Sequence, residues 1–441
     1  MKFLILQRTV FLLLVGVTSY AQNTVLSSED AVSIALENNL GIRISENQRQ
    51  VDANNASLLN SGYLPSVTAS GAGSIDRQNS EGKLANGDTR SAVGAETRRY
   101  STSVALNYVL FDGLGRMYDY KRFQEQSNQS ELEVRQTIEV TLLQLFSVYY
   151  EVARLEENTA NLTQALRISR DRLKRARYQF EFGQNTKLDV LNAEVDINTD
   201  SVNLLNAAQQ LRNTKRDLNL ILNQDLTINF TADTTVQFLP ELRMEDILAA
   251  AKSNNIRMLL AEKDILISEY SWKSSKSSFL PTIGLTGTYG WNESNNNSPL
   301  SFLLQNTSSG VTGSVNLSWS LFDGGRSINA ARNARIGFEN QQLLKQQTEL
   351  QVDRDLQNAW GNYKNSRFVL EVQDKNLQTN RNNFDRSQER YQLGQITSIE
   401  FRQAQLNLLN AQQVRSQAKY NAKLAELELL QVSGRLLDVD F

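Results

Sequence analysis

The chain has 441 residues, a net charge of −2 and a mean hydropathy of −0.42, which leaves room for two or three ordinary domains or one elongated protein and excludes a bundle of membrane helices. It contains no cysteine and no histidine. Disulfides, thiol catalysis, a lipid-modified N-terminal cysteine and histidine-based metal or acid–base sites are therefore excluded, and the absence of a sustained Lys/Arg stripe argues against nucleic acid.

Residues 1–21 read as a secretory signal peptide. Lys2 and Arg8 supply positive charge, residues 10–17 form an apolar core too short to span a bilayer, and Ser19-Tyr20-Ala21 is a small-x-small cleavage site. The mature chain is expected to begin near Gln22. From Ser27 or Ser28 one helix is predicted to about Gly62, with Glu29 and Asp30 in its first turn. Pro65 stops it and drives the preceding residue toward the β region.

Strands are predicted at about 64–75 and 100–111, around a polar loop at 76–99. In the second strand Thr102, Val104, Leu106, Tyr108 and Leu110 fall on one face, and Ser101, Ser103, Ala105 and Asn107 on the other. At Leu110-Phe111-Asp112-Gly113, Asp112 is placed to cap the next helix and Gly113 to relieve the turn. That helix runs to about 181 and repeats a seam at every seventh residue: Ile138, Leu145, Val152, Thr159, Leu166, Leu173, Phe180. Phe182-Gly183-Gln184 forms a tight turn into a return helix at about 186–222, with Val190, Ile197, Leu204, Leu211 and Leu218 along its inner side. Residues 225–239 read as a linker.

The plan then recurs. Glu29-Asp30 and Pro65 reappear as Glu245-Asp246 and Pro281, offset by 216 residues; Asp112-Gly113 and Gly183-Gln184 reappear as Asp323-Gly324 and Gly394-Gln395, offset by 211. Chance supplies one such pair, not four in order. The chain is therefore two structural repeats, 22–224 and 240–435, followed by a tail at 436–441. In the second repeat strands are expected at about 281–291 and 311–322 around a loop at 292–309, a long helix at about 325–391 and a return helix at about 397–433. The long-helix seam is Leu356, Tyr363, Leu370, Leu377, Phe384 and Tyr391. The return helix offers Phe401, Leu408 and Leu429, interrupted by Arg415.

The fold class expected is mainly α with a membrane β-barrel part. Period-two strands of about 10–12 residues have the length of transmembrane β-strands, and Tyr108, Tyr289, Trp291 and Trp319 are available for the membrane interfaces. Nothing else in the chain offers a face to cover a soluble sheet. In lipid every backbone donor and acceptor must be paired, so four strands close only when several chains share one barrel. Three chains would supply twelve strands, although hydrogen bonding alone does not set that number.

In their order and duplication, the Tyr-Leu-Pro and Phe-Leu-Pro entries, the Leu-Phe-Asp-Gly exits and the Tyr-x-x-Gly-Gln tip resemble the TolC-like outer-membrane efflux proteins over nearly the whole mature chain. The resemblance implies a homotrimer with a shared 12-stranded barrel in the outer membrane of a Gram-negative bacterium and an α-helical barrel crossing the periplasm. It implies the exit duct of a tripartite efflux or type I secretion-like system, with a periplasmic adaptor and an inner-membrane transporter as partners. It also implies a gate at the periplasmic tips. Tyr391 matches the tip tyrosine, Gly394 the tip glycine, and Glu400 and Gln403 the two positions of an acidic ring; Gly183, Asp189 and Asn192 are the first-repeat counterparts. The basic residue that ties the family's closed tip is replaced by Ile396. Pro65, Asp112, Gly113, Pro281, Asp323 and Gly324 mark the junctions between barrel and helices.

No Walker loop or Gly-x-Gly-x-x-Gly occurs, and no catalytic residue, cofactor or metal is expected. The Asp323-Gly324-Gly325 stretch before a helix could bind an anion, but a strand-to-helix turn explains the same glycines. Two other readings compete. One is a periplasmic coiled-coil adaptor or spacer without a pore, against which the alternating strands argue. The other is an enzyme on a helical scaffold, such as a glycosidase with paired carboxylates, for which no pocket-forming pair is evident.

Overall fold

The computed structural model describes residues 24–240 and 242–439. The expected signal peptide, Gln22 and Phe441 lie outside the described residues. In chain order the first repeat comprises β1 (Thr24–Leu26), α1 (Ser28–Asn38), α2 (Leu40–Asn55), β2 (Ser66–Lys83), β3 (Thr89–Asp112), α3 (Gly115–Glu181) and α4 (Lys187–Ile221). Then come β4 (Phe230–Ala232), α5 (Met244–Asn254), α6 (Ile256–Ser275), β5 (Thr282–Asn296), β6 (Gln305–Ser318), α7 (Arg326–Gln392) and α8 (Ser398–Val432). The two long helices have 67 residues each, about 100 Å at 1.5 Å per residue.

The single helix expected from Ser27 to Gly62 is broken at Asn39. Its carboxamide oxygen accepts from the N–H groups of Gly41 and Ile42, while its Nδ2 donates to Ile221 O at the end of α4, 2.9 Å away. Asn255 does the same in the second repeat, accepting from Arg257 and Met258 and donating to Val432 O at 2.7 Å. Each asparagine thus caps one helix and satisfies an orphan carbonyl of another. Only the folded chain brings those carbonyls within reach.

The sheet order is β2-β3-β5-β6, antiparallel throughout. Residues 76–99, expected as a loop, are mostly strand. Their charges suggested a loop, but they pair across the hairpin as Arg99–Asp76 and Arg77–Glu96. The true turn is short: Leu84 N–H donates to Asp88 O, and Gly87 takes φ +91°. In the second hairpin β6 stops at Ser318, four residues before the expected end at 322.

Register fixes two faces. Val67, Leu106 and Gly287 lie in one row, and Val104, Tyr289 and Val311 in another. The intervening rows hold Thr68, Ala105 and Thr288, or Ser70, Ser103 and Gly290. One face is therefore aliphatic and aromatic, while the other is built of Ser, Thr, Asn, Gly and Ala. The alternating stretch from Tyr100 to Phe111 spans about 26 Å along the membrane normal at ~3.3 Å per residue and ~45° tilt, which matches the height of a lipid-facing band.

The helices form a wall of four staves. Toward the sheet the order is α2-α3-α6-α7; beyond the middle it is α4-α3-α8-α7. The seven-residue seams pack as expected: Leu356, Tyr363, Leu370, Phe384 and Tyr391 are buried, as are Leu145, Val152 and Leu166, whereas Phe180 is exposed. Residues 225–239 are a belt bolted across the wall. β4 pairs in parallel with β1, Glu156 accepts from Ala232 N–H, Glu426 accepts from Leu239 N–H, and the Tyr149 hydroxyl donates to Leu26 O. The largest apolar core lies beneath it, around Phe146, Tyr149, Tyr150, Leu427 and Leu430.

At the junctions Asp112 accepts from Arg116 N–H at 2.9 Å, and Asp323 from Ser327 N–H at 2.9 Å and Gly325 N–H at 3.1 Å. The carboxylate of Asp323 thus occupies the amides that an anion would need, and the strand-to-helix turn reading stands. Gly113 and Gly324 both have positive φ, +70° and +73°. A Cβ on Gly113 would also lie 2.4 Å from Ser277 O, whereas one on Gly324 meets nothing within 4 Å. Gly324→Ala should therefore cost about 1–2 kcal/mol from backbone strain alone. Gly113→Ala should cost clearly more, read as a larger drop in the melting temperature of the detergent-solubilised protein.

Candidate functional site

Both helical tips are built the same way. Gly183 and Gly394 take φ +69° and +73°, and the following N–H groups reach back, Gln184 to Gln179 O and Gln395 to Arg390 O, closing Schellman turns. Glycine is needed there because the left-handed conformation crowds a Cβ. Thr186 and Thr397 then cap the return helices, with Asp189 and Glu400 completing capping boxes.

Glu400 is exposed, and its Oε2 accepts from Thr397 N–H at 2.8 Å and the Thr397 hydroxyl at 2.9 Å. These bonds, led by the backbone N–H and assisted by the nearby charge of Arg390, hold its carboxyl below the usual carboxylate range. Asp189 is half-buried and engaged with Thr186 in the same way. Gln403 is exposed and donates to Asn407; Asn192 is exposed. Tyr391 is packed, its ring stacked on Phe401 with centroids 4.8 Å apart and covered by the Arg175 guanidinium at 5.0 Å.

The structure adds a charged cluster just behind the tips. Arg402 of α8 meets Asp200 of α4 through two bonds of 2.8 Å, while the Ser169 hydroxyl of α3 donates to Asp200 at 2.6 Å. Arg402 is 9% exposed, Asp200 2% and Ser169 0%, so this is a buried ion pair shared by three helices. Gln405 donates to Ala165 O, and Arg172 bonds Asp196 and Ser398. Sequence reasoning missed these residues. The available signal was a break in the duplication: at an offset of 211, Arg402 corresponds to Leu191 and Asp200 to Ala411. Arg415, which interrupts the return-helix seam, is accounted for by Asp374 at 2.7 Å.

Away from the tips, the polar face of the sheet carries Ser70 and Ser103 in contact at 2.9 Å and Thr286 donating to Asn107 at 3.1 Å. It is wettable and nearly uncharged. Trp319, at the helical end of β6, donates its indole N–H to Phe279 O. Among the described residues no group of acidic, Cys or His side chains could hold a metal ion, and no helix is long and apolar enough to cross a membrane.

A family model described as outer membrane efflux protein matches residues 31–224 and 247–435, the two repeats seen in the fold. The chain belongs to the outer membrane efflux protein family. Its members are outer-membrane efflux channels rather than enzymes, and this chain is such a channel, extending into the periplasm of a Gram-negative cell. The chain is similar to the outer membrane efflux protein BepC of Brucella suis, with 23% identity across 96% of this chain and 90% of the relative. Among solved structures, the Campylobacter jejuni CmeC outer membrane channel superposes with a TM-score of 0.77 at 17% identity, over 93% of this chain and 86% of that one. The open state of the Neisseria gonorrhoeae MtrE outer membrane channel superposes with a TM-score of 0.69 at 16% identity, over 93% and 89%. These likenesses corroborate the mixed barrel-and-helix fold of this efflux-family chain.

Proposed function

We propose that three copies of this efflux-family channel close into one duct, with the polar sheet face lining its outer mouth and the staves forming its periplasmic wall. The observation that carries this reading is the sheet itself: four strands with two open edges, one lipid-compatible face and one wettable face. Members of the family are trimers that work with a periplasmic adaptor and an inner-membrane pump, and the same two partner classes are proposed here. Substrates pass down the duct without chemistry in it. A spacer without a pore would need no such sheet. Purified protein should run as a heat-modifiable, detergent-dependent oligomer and give channels in planar bilayers; intact oligomers that never conduct would rule out a spontaneously open duct.

The gate is assigned to the tips: Tyr391 and Gly394 shape the second tip, Glu400 charges it and Gln403 supplies a neutral second position. Gly183, Asp189 and Asn192 form the paired first tip. Three symmetry-related Glu400 carboxylates would favour cations. Glu400→Gln should reduce cation selectivity measured as reversal potential; an unchanged reversal potential removes Glu400 from the gate. The pH dependence has a definite sign. Because the folded-state pKa of Glu400 is lowered, the charge persists through the ordinary carboxylate range and is lost only as pH falls through that depressed value. Selectivity should hold at pH 5 and fade in stronger acid.

A further inference from the structure

The aliphatic side of the sheet ends differently at its two rims. At the helical rim it runs along β6 through Val315 and Leu317 to Trp319, all exposed. The Trp319 indole N–H donates to Phe279 O at 3.1 Å, which seats the ring against the Lys276–Phe279 turn that follows α6. Phe279 is exposed beside it. At the far rim the same side carries both signs of charge: Glu96 takes Arg77 at 3.0 Å and Arg98 at 2.6 Å, and Glu293 lies in the row of Tyr100.

Beside the junctions at Pro281 and Asp323 stand two cations that their own chain leaves short of counter-charge. Lys276 is exposed, its Nζ lies 3.8 Å from the centre of the Trp272 ring, and among the described residues no carboxylate pairs with it. Arg326 opens α7 with a side chain 88% exposed and reaches Asp323 only at 3.9 Å. Asp323 is already occupied by the amides of Gly325 and Ser327. The other acids of this rim have partners of their own: Asp112 holds Arg116, Asp119 holds Arg122 and Ser274, and Glu269 holds Lys273. α7 packs against the 276–279 turn, so the two cations rise from neighbouring elements.

We propose that this rim binds the phosphate of an anionic phospholipid of the phosphatidylglycerol type in the periplasmic leaflet, with Lys276 and Arg326 on the phosphate and Trp319 and Phe279 beside the first carbons of the acyl chains. This rests on the reading of the aliphatic sheet face as lipid-facing. Aromatic rings with one polar edge settle at the headgroup level, and the Trp319 N–H needs no partner from the lipid because Phe279 O already accepts it. Long cationic side chains lay their stems on apolar surface and hold their charge at the phosphates. A lipid is favoured over a protein partner because the patch is continuous with the aliphatic band and is crowned by cations alone. Each cation near the surface raises the affinity for an anionic over a zwitterionic headgroup about fivefold. The mixed charges of the far rim confer no such preference.

The cysteine-free chain accepts a single label for the test. Ser278→Cys, on the exposed turn between Lys276 and Phe279, carries bimane in vesicles of phosphatidylcholine. The vesicles are prepared with increasing amounts of phosphatidylglycerol or phosphatidylcholine spin-labelled near the headgroup. Half-quenching should need a roughly tenfold or more lower fraction of the phosphatidylglycerol probe, and Lys276→Gln or Arg326→Gln should each reduce that preference about fivefold. Quenching by the phosphatidylcholine probe should stay at the parental level, and Arg77→Gln at the far rim should keep the full preference. Equal quenching by the two probes in the parent protein, an undiminished preference in both rim variants, or an equal loss in Arg77→Gln would overturn the proposal. So would displacement of the phosphatidylglycerol probe by inorganic phosphate, which would mark a site for free anions. A bimane that neither probe quenches would instead overturn the lipid-facing reading of the sheet, so the two failures are told apart.

Discussion

Arg402→Ala is expected to speed hydrogen exchange in the tip halves of α3, α4 and α8 by about two to four powers of ten. The substitution leaves Asp200, 2% exposed, without its counter-charge, keeping only the Ser169 hydroxyl. Breaking a buried pair from one side costs about 3–5 kcal/mol, and each ~1.4 kcal/mol is tenfold in an opening equilibrium. The double replacement Arg402→Met with Asp200→Leu should recover most of the protection, since well-packed apolar residues often match a buried pair in stability. Exchange outside the tips, beneath the belt, should not change, because that region rests on a separate apolar core around Tyr149 and Leu427. If Arg402→Ala exchanged at the parental rate, the pair would hold nothing.

Leu106→Arg should abolish accumulation of heat-resistant trimer in the outer-membrane fraction, whereas Ala105→Arg should not. The two residues are adjacent on β3 but belong to opposite faces: Leu106 lies between Val67 and Gly287, Ala105 between Thr68 and Thr288. An arginine on the lipid face near mid-membrane costs about 2–4 kcal/mol in each chain, and a trimer bears that cost three times. On the polar face the same side chain stays solvated and should instead shift selectivity toward anions. Equal loss of trimer from both variants would refute the two-faced barrel.

The duplication makes most of the fold legible along the chain. Pro65/Pro281, Asp112/Asp323 and Gly183/Gly394 each mark a place where the backbone must change state, and proline, a capping carboxylate and a left-handed glycine are local requirements. Seven-residue seams and two-residue strands likewise follow from the period of each element. Glu400 and Asp189 are held by those same local rules, each completing a capping box six residues after its turn glycine, while it is the family resemblance that singled them out as candidate tip positions.

What local rules miss is any residue whose partner is distant. Asn39 sits where a helix could continue, and it breaks the helix because a carbonyl 182 residues away accepts its amide. Asp76 and Arg99 look like loop residues until the hairpin sets them face to face. Arg402 looks like a defect in an apolar seam until Asp200, 202 residues earlier, supplies its counter-charge. By itself, then, the sequence determined the two-repeat plan, the long helices and their return helices, the sheet faces and the tip turns, all governed by spacing along the chain. Tertiary structure alone decided the broken first helices, the bolted belt and the stapled seam between hairpins, because buried polar groups find their partners by proximity in space.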